Sequence, residues 1–171
     1  MPLISFWTEV NTAQLAQGDF LPNCQVPIFF GSREPSEEIL TLEYDLIIIT
    51  QSCDLENNKV QLVACCPIFT LDEFEHVNTD FRKKGRWEEV RKGRVEGLHL
   101  LGSRVEPENN RLASVIDFRE IYSLPFDYLV KRANELGKRW RLAPPFLEHF
   151  SQSFARFFMR VGLPALIPPF K

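Results

Sequence analysis

The segment Tyr44-Asp45-Leu46-Ile47-Ile48-Ile49-Thr50 constrains the fold more than any other stretch of the chain. Its β-branched residues follow one another without polar alternation, the pattern of a strand whose two faces are both buried. That makes it a central strand. Gln51-Ser52-Cys53-Asp54 follows, and then the turn-forming cluster Glu56-Asn57-Asn58. The run from Lys59 to Cys66 returns as a second strand that stops at Pro67. The two read as an antiparallel hairpin with an enlarged polar loop. Cys65 and Cys66 are adjacent on this strand and so point to opposite faces, where one or both serve as small buried residues.

Elsewhere the signals are local. Asn11 to Gly18 reads as a short helical turn, capped by Asn11 or Thr12 and ended by Gly18. Val26 to Phe30 is a short apolar run interrupted by Pro27, ahead of a turn-rich stretch at 31–36. Thr70 and Glu73 match a helix capping box. The polar segment that follows, from Leu71 to about Val90, offers Phe74, Val77, Phe81 and Trp87 as inward contacts, and Gly85 interrupts it. Leu98 to Leu101 and Ala113 to Ile116 read as strands, and Glu120 to Ser123 as a last short one. Pro144-Pro145 then opens a helix in which Phe146, Phe150, Phe154, Phe157, Phe158 and Val161 share a face and Gly162 marks the stop. Glu148, Gln152, Arg156 and Arg160 lie opposite.

The 171 residues fit one domain, 1–171, with a β-rich core over about 17–125, an insert at 71–95 and a helical cap at 126–171. The expected class is α+β, a partly open antiparallel barrel closed by the amphipathic C-terminal helix. Fifteen Phe imply a core of large rings or an apolar face kept for a partner. The net charge of −3 gives no general attraction to nucleic acid or to an anionic membrane. No apolar run approaches the ~20 residues that span a bilayer, and the N-terminus lacks a signal-peptide pattern, so a cytoplasmic location is expected. Cysteines at 24, 53, 65 and 66 follow neither zinc nor disulfide spacing. Neither a metal nor a cofactor is expected.

Three constellations could carry chemistry. In the first, the thiol of Cys53 sits among Gln51, Ser52 and Asp54 at the end of a buried strand. With His99 as base, and Asp54 or Gln51 orienting or stabilising charge, it would act as a nucleophile. The bland alternative is that Ser52 and Asp54 shape the turn while Cys53 fills space. The second is Arg82, Lys83, Lys84, Arg86 and Trp87, in a stretch from 82 to 94 that carries seven basic residues against Glu88 and Glu89. Cations around an exposed Trp suit nucleic acid; the alternative is a solvated face paired with Glu73, Glu75 and Glu88. The third is the pair Arg156 and Arg160, one helical turn apart, which would grip an anion or hold the helix against acids such as Asp117 or Asp127. Nucleotide-binding loops, zinc-protease motifs and nucleophile elbows are absent from the sequence.

Gly18-Asp19-Phe20, Leu46 to Thr50, Val63-Ala64-Cys65-Cys66-Pro67-Ile68 and Ala113 to Ile121 together resemble the order of elements in PemK/MazF-type toxins. The likeness covers roughly residues 17–125 and implies a small antiparallel SH3-like, PemK-like β-barrel. It also implies a ribonuclease, whose hydroxyl Thr50 or Ser52 would supply. That family places an arginine just before the central strand, whereas this chain has Leu42-Glu43-Tyr44-Asp45. An acid where a phosphate-stabilising cation belongs argues against the same cleavage. The same segments, with the TQSCDL loop and the tail RFFMRVGLP, also resemble a group of bacterial proteins that brings no known activity.

These readings converge on a nucleic-acid-associated or partner-binding module of bacterial defence or toxin–antitoxin type. Its partner would be RNA, DNA, another protein or a second copy. A thiol-dependent enzyme using Cys53 and His99, and a non-catalytic interaction subunit, are the alternatives.

Overall fold

The computed structural model describes residues 5–28 and 39–159. Along the chain run β1 (Trp7–Val10), β2 (Phe20–Ile28), β3 (Leu40–Ile48), α1 (Ser52–Glu56), β4 (Leu62–Thr70), α2 (Leu71–Val77) and α3 (Arg86–Arg91). They are followed by β5 (Leu98–Leu101), β6 (Ser114–Asp117), β7 (Tyr122–Pro125), α4 (Phe126–Leu136), β8 (Arg139–Leu142) and α5 (Phe146–Phe158). The larger sheet is antiparallel, in the order β2-β3-β4-β6-β5, with β7 also on β4. β1 and β8 form a separate ribbon, joined to the start of β2 by a bridge between Asp19 and Arg141.

The central position of Leu46 to Ile49 explains its composition. Leu46 and Ile48 pack on one face, with Cys65, Leu124, Leu129 and Ala133, so that α4 covers that side. Ile47 and Ile49 pack on the other with Cys66, Phe118 and Phe150, under α5. A strand roofed on both faces has no use for polar alternation. Cys65 and Cys66 divide between the two faces, and both are buried.

No closed barrel forms among the described residues. β4 gives one edge to β3 and the other to β7 and then β6 in succession, which leaves β2 and β5 as the ends of an open sheet. Nor does β4 stop at Pro67. Proline lacks the N–H that a ladder requires, but Pro67 falls between the β7 pairing, which ends at Cys65, and the β6 pairing, which begins at Ile68. The missing donor is not needed there.

Asn11 to Gly18 is not a helix. Its backbone is held by side chains instead: Arg139 donates to Thr12 O and Gln14 O, Arg141 donates to Gln14 O, and Ala16 N–H donates to Asp19. Gly18 has φ +82°, and a Cβ there would meet Leu147 at 2.9 Å, so glycine serves a turn rather than a helix end.

The capping box at Thr70 and Glu73 is present. Gly85, at φ +86°, separates α3 from the preceding 3₁₀ turn at Thr79–Arg82. Phe74 and Phe81 are buried and Trp87 packs on them, but Val77 is 81% exposed. The region after Pro125 is more than a helical cap, because it contains β8, the partner of β1. α5 buries Phe150 completely and packs Phe154 and Phe157 partly, while Glu148, Gln152 and Arg156 face water. Phe29, Phe30, the turn at 31–36, Arg160, Val161 and Gly162 lie outside the described residues.

Candidate functional site

The polar loop after β3 is largely committed to architecture. Thr50 Oγ1 accepts from Ala64 N–H at 2.8 Å, and Ser52 Oγ accepts from Gln17 N–H at 3.1 Å. Gln17 also donates to Ile49 O at 2.9 Å and accepts from Ser151 on α5 at 3.0 Å. Gln51 and Cys53 stand exposed, and Cys53 Sγ is 3.9 Å from Asp54 Oδ1. Asp54 also lies 4.0 Å from Lys59. His99 is elsewhere. It sits on β5, two strands beyond β4, with its ring 6.0 Å from Phe118 and 5.8 Å from Phe150. Burial, helped by His149, pushes its pKa down to about 4. The structure therefore does not assemble Cys53 and His99 into a nucleophile–base pair.

The basic stretch is also committed, mostly to nearby acids. Lys83 and Arg86 share Asp80, Arg91 and Lys92 share Glu88, and Arg94 pairs with Glu89. Arg91 donates to Glu88 twice at 2.7 Å and holds that carboxyl down at about 2. Arg82 donates to Glu75 O at 3.2 Å, while Lys84 has no ion-pair partner among the described residues. Trp87 is half-buried, donates to Glu75 Oε1 at 2.7 Å, and lies against Phe74 and Phe81. The ring expected to stack on a base is a wall of a small core instead. On α5, Arg156 is exposed beside a cavity of about 240 Å³ shared with Glu96 and Ser153. Asp117 is held by Arg119, through Nε at 2.7 Å. Arg139 is fully buried against Asp19 at 2.9 Å and is structural.

A different feature stands out, at the place where β3 and β4 part. Their ladder ends at Leu46 and Pro67. Upstream of it, β3 continues from Leu40 with β2 as its only strand partner among the described residues, while β4 turns away to β6. The two strands diverge around a wedge of about 630 Å³, with Glu43, Tyr44 and Asp45 on one wall and Phe69, Glu73 and His76 on the other.

Which backbone groups of β3 face this wedge follows from strand alternation. Pro27, which has no N–H, is opposite Thr41, and Gln25 is opposite Glu43. The Gln25 N–H points away from β3, because it donates to Tyr128 OH at 2.7 Å. These are non-hydrogen-bonded pairs. The N–H and C=O of Thr41 and Glu43 therefore face away from β2, into the open side.

Side chains alternate accordingly. Tyr44 lies on the α4 face, with its ring 6.5 Å from Phe69 and 5.5 Å from Tyr122. Glu43 and Asp45 share the opposite face. Their partners are neutral: Asn23 N–H donates to Asp45 at 3.0 Å, and Asn23 and Gln25 side chains donate to Glu43 at 2.7 and 3.1 Å. Neither acid makes an ion pair with Lys or Arg among the described residues, although Arg104, stacked 3.8 Å over Phe20, feels the charge of Asp45. None of these residues was marked by a sequence motif. The visible signal is the alternation of Leu42 and Tyr44 with Glu43 and Asp45, in contrast to the unbroken apolar run that follows.

Among the described residues no helix is long and apolar enough to cross a membrane, and no group of three or more His, Cys, Asp or Glu is placed to hold a metal ion. No family model, curated protein or solved structure matches the chain.

Proposed function

We propose that the protein is a partner-binding module that accepts an extended polypeptide as an added strand along the open edge of β3. The observation that carries this reading is the outward-facing backbone of Thr41 and Glu43, which has no strand partner among the described residues and runs into a groove with an aromatic wall. Exposed edges of this kind pair readily with another chain, and strand addition is a common mode of peptide recognition. Exposed Leu40 and Leu42 flank the edge and add apolar surface. The nucleic-acid form of the module has less support, since most of its cations are already paired with Asp80, Glu88 and Glu89.

The test is selection of a random peptide library on the immobilised protein, followed by Thr41→Pro. Proline at 41 removes the outward N–H and leaves the bonds to β2 intact. Selected peptides should lose affinity at least tenfold on the variant. Peptides that bind the variant as well as the wild type would overturn the strand-addition reading.

A further inference from the structure

Resting on that reading, we infer that the occupant of the β3 edge is a cationic extended segment, with Lys or Arg at alternate positions and apolar residues between them. An added strand presents successive side chains to opposite faces of the sheet, and the two faces of this wedge differ in chemistry. On one, Glu43 and Asp45 stand two residues apart, which is the spacing of same-face residues in a partner strand. On the other, Tyr44 and Phe69 present rings.

The acids are suited to a cation brought from outside. Among the described residues, the hydrogen bonds given to Glu43 and Asp45 come from neutral amides of Asn23 and Gln25, and no Lys or Arg pairs with either acid. Glu73, on the far wall, is bonded to Thr70 through its capping box, again without a cationic partner among the described residues. A carboxylate strengthens markedly on meeting an ammonium or guanidinium in a partly enclosed groove. The contrast with the neighbouring insert is direct, because there the acids Asp80, Glu88 and Glu89 are each matched by Lys or Arg. Among the described residues, the wedge is where negative charge without a cationic partner lies beside a backbone edge without a strand partner. Nucleic acid is disfavoured at the same place, since its phosphates would meet the three carboxylates.

The experiment uses two labelled peptides of equal length, one alternating valine with lysine and one alternating valine with glutamate. Their binding to the full chain is followed by anisotropy and by backbone amide shifts. The lysine peptide should bind at least tenfold tighter than the glutamate peptide and should shift the amides of Thr41 and Glu43. Glu43→Gln combined with Asp45→Asn keeps a carbonyl oxygen at each position to accept from Asn23, gives up the second Glu43 oxygen that accepts from Gln25, and should remove at least tenfold of the lysine-peptide affinity. Equal binding of both peptides, with shifts at Thr41 and Glu43, would keep the strand edge and overturn the cationic occupant. Lysine-peptide binding that leaves those amides unmoved, or that a short single-stranded RNA displaces at the same amides, would overturn the inference. Failure of both peptides to move these amides would count against strand addition itself.

Discussion

The two long sides of the β2–β3 hairpin receive opposite treatment. Along β2 the outward backbone is covered by α4: Tyr128 OH accepts from Gln25 N–H at 2.7 Å, Arg132 Nε donates to Pro22 O at 3.0 Å, and Pro27 carries no donor. Along β3 the corresponding groups of Thr41 and Glu43 face the open side, Glu43 lining the groove, and β4 has already turned to another partner. Both edges belong to one hairpin, so strand propensity does not distinguish them. The difference lies in which edge the fold closes. An edge closed by a helix, a proline and two side chains is protected against pairing, whereas one left open beside rings and acids is available for it.

The largest effect is expected where the cover is most deeply anchored. Arg139 is buried, donates to Asp19 through Nε at 3.0 Å and Nη2 at 2.9 Å, and also ties down the backbone at Thr12 and Gln14. Arg139→Ala leaves the Asp19 carboxylate buried with half its support gone. Breaking a buried pair on one side costs about 3–5 kcal/mol, so urea unfolding should show a loss of that size. A loss below about 1 kcal/mol would mean that β8 and the 11–18 segment hold the covered side without this network.

A comparable effect is expected at acid pH on the face that α5 covers. His99 lies between β5 and α5 with its folded pKa lowered to about 4, chiefly by burial and then by His149. In the unfolded chain it returns to about 6.5. The unfolded state therefore binds the proton first, and stability, fully present above about 6.5, falls as the pH drops toward 4. The difference corresponds to about 3 kcal/mol. His99→Phe, which keeps a ring beside Phe118 and Phe150, should remove most of this slope. Denaturation midpoints measured from pH 7 to 4 for both proteins would decide it, and parallel curves would show that His99 is not the titrating group.

The legibility of the sequence follows the same division between covered and open. Leu46 to Ile49 announces a strand buried on both sides because its partners are apolar side chains, and that demand is written in its own residues. The α5 face is legible for the same reason, through the spacing of Phe146, Phe150, Phe154 and Phe157. The capping box at Thr70 and Glu73 is local and complete within four residues. What the sequence does not display is long-range and polar. Asn11 to Gly18 has helical punctuation, but its backbone partners are Arg139 and Arg141, more than a hundred residues away. β8, between α4 and α5, is only four residues long and finds its pairing partner at the other end of the chain. The open edge is harder still to read, because it depends on where β4 leaves β3. Glu43 and Asp45 draw notice in the sequence only as acids where a toxin-like chain would carry arginine. The structure places them beside backbone that has no strand partner among the described residues.

The smallest effects discriminate best, because they compare the two edges directly. Tyr128→Phe deletes one hydroxyl and strips the Gln25 N–H of its acceptor on the covered side. A hydrogen bond of this kind contributes about 1 kcal/mol, and the loss should be of that order. Thr41→Pro deletes one donor on the open side, where no strand among the described residues takes it up, so stability should stay within about 0.5 kcal/mol of wild type. The free chain thus needs the covered edge for its own folding and can lose a donor from the open one. If Thr41→Pro proves as costly as Tyr128→Phe, the Thr41 N–H is already in use within the chain. The asymmetry of the hairpin would then be a feature of packing alone, and strand addition would have no vacant edge on which to act.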